Sequence, residues 1–124
     1  MTTFDDLHQR KIVLAAALVK KLLEMRPQLF AAEQMGKKEF VRDWLLQYAG
    51  LLRDLVKLAS AQKDLCKNDQ CNTLLDQELA ELKVAIRHIE QVAAGGDLDE
   101  SKIRDALATI ASREHSLPML LKAA

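Results

Sequence analysis

Two charged residues occupy positions where apolar side chains are expected. Lys11 falls between Leu7 and Leu14 on the apolar face of one helical run, and Glu78 between Leu75 and Leu82 on that of another. A charge on a buried helix face must be paired, reach water along its own stem, or change its protonation state. The simplest expectation is that Lys11 snorkels at the end of a bundle and Glu78 lies at the edge of a seam. The alternatives are a mutual pair across the molecule, which would fix register more than stability, or a surface that meets another chain. One lysine and one carboxylate do not make an active site.

The other residues with chemical potential are three histidines and two cysteines. His8 shares the apolar half of its helix, whereas His88 falls on the polar side of a later one and His115 lies near the end of the chain. All three read as surface or partly packed residues. A phosphorelay bundle acting through His88 is an alternative function. Its neighbours Arg87, Ile89, Glu90 and Gln91 lack the Lys-Gly pair that such modules place just after the histidine. Cys66 and Cys71 are separated by Lys-Asn-Asp-Gln. They are expected to be free thiols, with a disulfide across a turn as the sharper alternative and a thiol or metal sensor as the function that would follow. The spacing is not a two-residue knuckle and no third ligand is near in sequence, so no metal or other cofactor is expected.

Aromatic residues give a different kind of signal. Phe4, Phe30, Phe40, Trp44 and Tyr48 all lie in the first 48 residues, and the last three recur every four positions. Such a ladder fills a core, or it offers a groove to a partner's helix, since aromatic side chains dominate interface anchors. Leu46 points out of the apolar stripe of the same helix. Candidate partner-binding residues are therefore Phe40, Trp44, Tyr48 and Leu46, together with Lys11 and Glu78.

The elements that position these residues are helical throughout. In 124 residues, 49% are apolar and 29% charged, with only four Gly and two Pro, which suits one soluble domain. Apolar residues recur every three or four positions and no strand-length alternation is present. The periodicity predicts helices over about 4–25, 27–35, 37–66, 73–94 and 98–115, with a short apolar tail at 118–123. Thr3 caps the first helix, and Asp5 and Asp6 occupy its first turn. Pro27 disfavours helix at Arg26 and predicts a kink or a short separate helix around 27–36, stopped by Gly36. Asn72 or Thr73 is expected to cap the third helix and Asp97 to restart the chain after Gly95-Gly96. Short turns favour antiparallel neighbours, so the fold class is an all-α, four- to five-helix up-and-down bundle in a single domain, 1–124.

Charge and composition then narrow the function. Eighteen basic residues balance eighteen acidic ones, which argues against binding nucleic acid through phosphate neutralisation. The halves differ: residues 1–62 hold 10 basic and 7 acidic side chains, net +3, and residues 63–124 hold 8 and 11, net −3. The apolar run from Ile12 to Val19 is too short for a bilayer and sits in a poor leader context, so a cytoplasmic location without membrane attachment is expected. No Gly-rich phosphate loop, nucleophile elbow or His-Glu-x-x-His pattern occurs, and no small-molecule substrate suggests itself. The expectation is a non-enzymatic module, a regulatory, adaptor or chaperone-like subunit. It would bind another protein, or a second copy of itself as a homodimer, through surplus apolar helix surface.

Overall fold

In a computed structural model, residues 3–96 and 99–112 are described. Four helices account for nearly all of them: α1 Phe4–Gln34, α2 Lys38–Asp64, α3 Asp69–Ala93 and α4 Glu100–Ser112. No strand occurs among the described residues. The predicted extension of the last helix to 115, the tail at 118–123, His115 and the Asp97 cap lie outside them.

Each start has a chemical cause. The Thr3 hydroxyl accepts the Asp6 amide at 3.1 Å, while the Asp6 carboxylate accepts the Thr3 amide at 3.2 Å, a reciprocal capping box that satisfies two otherwise orphaned donors. Hydrogen bonding to Thr3, first of all from its backbone amide, lowers the Asp6 pKa. The cap of α3 differs from expectation: the helix begins at Asp69, earlier than 73, because Asn68 is extended and its side chain accepts the Cys71 amide at 2.8 Å. At α4, one Asp99 carboxylate oxygen accepts both the amide and the hydroxyl of Ser101, and these bonds hold its pKa down.

Pro27 does not divide the first helix. The expected separate helix over 27–35 is instead the continuation of α1, which runs to Gln34. A proline removes one amide from the ladder and crowds the preceding turn, at a cost of about 3 kcal/mol in a helix interior. Here Pro27, Gln28, Phe30 and Ala31 are exposed, so water can replace the donor that the Leu23 carbonyl loses. Gly36, at φ +74°, then turns the chain into α2.

Cross-helix bonds fix the directions. Tyr48 bonds to Leu18 and Gln62 to Phe4, so α1 and α2 are antiparallel. Arg53–Glu90 and Lys63–Asp76 set α3 antiparallel to α2, and Asp99–His88 with Thr109–Glu81 does the same for α4 against α3. Helix α4 returns to pack on α1, which closes the ring in the order α1, α2, α3, α4. The molecule is an up-and-down four-helix bundle. All four helices contribute to the main core, including Leu18, Leu22, Leu45, Leu52, Leu55, Leu82, Ile89, Ile103, Leu107 and Ile110. A second apolar cluster of Phe4, Ala59, Cys71, Leu75 and Leu79 lies at the opposite end and draws only on α1, α2 and α3. No described helix is long and apolar enough to cross a membrane.

Candidate functional site

Four polar or charged side chains are fully buried near the second apolar cluster. Lys11 Nζ donates to Glu78 Oε2 at 2.6 Å, with both side chains fully buried. The partners come from α1 and α3, so the pair spans the diagonal of the bundle. Snorkelling was the simpler expectation, and burial overturns it: neither head group reaches water, so each charge needs the other. His8, one turn before Lys11, is also fully buried, as is Gln62, whose Nε2 donates to the Phe4 carbonyl at 3.3 Å. The place of Gln62 was not foreseen, because a single amide in a helical run leaves no trace in hydrophobic periodicity. Among the described residues, no group of three or more His, Cys, Asp or Glu is gathered to hold a metal.

His88 is buried rather than on a polar surface. Its Nε2 accepts the Asp99 amide at 2.8 Å, tying the end of α3 to the start of α4. An imidazole nitrogen used this way carries no proton and is not presented to a phosphoryl donor. Cys66 and Cys71 are bonded to each other rather than free. The tight α2–α3 turn brings their Cα atoms to 5.8 Å, well within the range a disulfide spans.

The aromatic ladder divides along its length. Tyr48 is buried, donates its hydroxyl to the Leu18 carbonyl at 2.8 Å, and stacks on Trp44 with ring centroids 5.2 Å apart. Trp44 is half-buried against the core. Phe40 remains 49% exposed and Leu46 40%. Of the six candidate partner-binding residues, Lys11, Glu78 and Tyr48 are therefore committed to the interior, and Phe40 and Leu46 face outward.

Phe40 belongs to a larger exposed group. Leu23 (56%), Phe30 (65%) and Met35 (68%) join Phe40 around the second half of α1 and the turn into α2. Leu23 and Phe30 lie seven positions apart and so on one face of α1. The signal was present in the breadth of the apolar face of α1, which is wider than one packed stripe requires. Beside them lies an open hollow of about 500 Å³ lined by Gly36, Lys37, Lys38, Glu39 and Phe40.

Burial raises the Tyr48 pKa above its usual value of 10.0. The folded state thus favours the neutral phenol. The stability this contributes is complete below about pH 10 and is lost as pH rises above that value. A urea midpoint that falls between pH 9 and 11 in the wild type, but stays level in Tyr48→Phe, is the expected result. As the chain has one tyrosine, tyrosinate absorbance reads the same titration directly.

Fold and site define a small all-α bundle with a buried ion pair and exposed apolar side chains around the α1–α2 turn. An alignment of 84 residues is 39% identical to the kinesin-like protein KIF16B of Mus musculus and covers 56% of this chain. The chain spans 6% of that relative's length. No family model matches the chain, and no solved structure matches it significantly.

Proposed function

We propose that this chain is a non-enzymatic interaction module that binds another protein through the apolar surface at the α1–α2 end. The observation that carries this reading is the exposure of Leu23, Phe30, Met35 and Phe40 over the second half of α1 and the turn into α2. The other exposed large apolar residues, Val13, Val19, Leu46, Leu65 and Val84, are spread over three helices. Grouped large apolar side chains in water mark association surfaces far more often than scattered ones. The likeness to a short stretch of a much longer protein supports a module-sized role, and none of that protein's own activity is carried over. His88 and the cysteine pair offer less, since the imidazole holds α4 and both sulfurs are bonded.

A photo-crosslinking amino acid at position 30 or 40, in the full chain in its native host, should yield a discrete protein adduct. The same group at position 57, exposed on α2, should not. Phe30→Asp should abolish adducts formed from position 40 while changing the unfolding free energy by less than about 0.5 kcal/mol. Absence of adducts at 30 and 40, in a chain that sediments as a monomer, removes the reading.

A further inference from the structure

We infer that the occupant of the α1–α2 end is an acidic amphipathic helix of a partner protein. This rests on the binding role proposed above and adds the chemistry of the partner. Charge is unevenly placed along the chain. Residues 20–42 hold 6 basic and 3 acidic side chains, net +3, so this one segment contains the whole excess of the first 62 residues. The remaining positions in that half, 4 basic against 4 acidic, cancel.

Four of the six cations in this segment are uncommitted. Among the described residues, Lys21, Lys37, Lys38 and Arg42 are exposed and none of them enters an ion pair. Lys20 only meets Glu24, at 3.8 Å with both side chains well exposed. Elsewhere Lys11, Arg53 and Lys63 each face a carboxylate on another helix. Free positive charge and free apolar surface therefore coincide at one end of the bundle.

The geometry matches a helix in particular. Leu23 and Phe30 are two turns apart, about 10 Å along α1, the repeat at which a docked helix places its own i and i+7 anchors. The hollow is lined by Gly36 and Phe40 together with Lys37, Lys38 and Glu39, so two cations against one carboxylate leave it net positive around an apolar ring. A basic or neutral helix would satisfy the apolar surface but leave the lysines uncompensated.

The test uses synthetic helical peptides of about five turns with Leu at i, i+3, i+4 and i+7 and Glu at the remaining positions. Matched peptides carry Gln or Lys in place of Glu. With the intact chain, fluorescence anisotropy should show the Glu peptide binding about tenfold more tightly than the Gln peptide, with the Lys peptide weakest. Added salt should narrow the difference. The double substitution Lys37→Glu and Lys38→Glu, at exposed positions, should reverse the order of the peptides while leaving the unfolding curve unchanged. Equal binding of all three, or a preference for Lys, overturns the acidic partner and leaves the binding role intact. Failure of every peptide overturns it as well. If the chain then dimerises and Phe30→Asp makes it monomeric, the occupant is a second copy. If crosslinks from positions 30 and 40 are also absent, the binding role fails too.

Discussion

Replacing Lys11 by Met should lower the unfolding free energy by about 3–5 kcal/mol, although the new side chain is apolar and of similar length. The loss comes from what stays behind. Glu78 is fully buried, and without the ammonium 2.6 Å away its carboxylate must remain charged in a medium of low polarity or take up a proton. Glu78→Met should cost a similar amount by stranding the ammonium. The double variant should recover most of the loss, because two thioethers meeting across the diagonal restore packing without any charge to desolvate. Denaturant unfolding of the wild type, both single variants and the double variant gives the coupling directly. Single losses below about 1 kcal/mol, or a double loss equal to the sum, would show that the pair does not carry this energy.

Tyr48→Ala should be comparably damaging, at about 3–5 kcal/mol, since the ring is 2% exposed and is the face on which Trp44 stacks. Tyr48→Phe keeps the ring and loses only the hydroxyl bond to Leu18, so its cost should be about 1 kcal/mol. The chain has a single tryptophan, which makes emission from Trp44 a local probe of the same site. A red shift in the folded Tyr48→Ala variant, but not in Tyr48→Phe, is expected as water reaches the exposed indole. Near-equal losses in the two variants would place the energy in the hydroxyl and contradict the packing account.

The helical architecture was legible because 3.6-residue periodicity is a collective property of many side chains, and no one position can hide it. Leu45, Leu52 and Leu55 on α2, and Leu75, Leu82 and Ile89 on α3, are buried as their spacing implies. Boundaries were less legible because each depends on one or two local bonds. The start of α3 was misplaced because Asn68, Asn72 and Thr73 are all competent caps, and only the path of the α2–α3 turn selects the first. The break expected at Pro27 reflects an intrinsic preference that an exposed helix face can accommodate.

At the candidate site, the anomalies of Lys11 and Glu78 were visible, but their pairing was not. They are separated by 67 positions, and only the ring order of the helices brings them together. The cysteine outcome turned on a Cα distance that a four-residue spacer does not determine. The exposed group on α1 was missed for a related reason. A broad apolar face shows that surface exists without showing which part the neighbouring helices cover. Phe40 was singled out with Trp44 and Tyr48, yet its exposed companions are Phe30 and Met35.

Helix α4 has 13 residues, near the lower limit at which a peptide keeps any helix in water on its own. Its order is therefore borrowed from its seat on α1 and α3, into which Ile103, Ala106, Leu107 and Ile110 are set, and from the Asp99 amide held by His88. Detachment of this one segment would leave a trough along the remaining three helices, and its amides should trade hydrogen for deuterium earlier than those of α2 and α3.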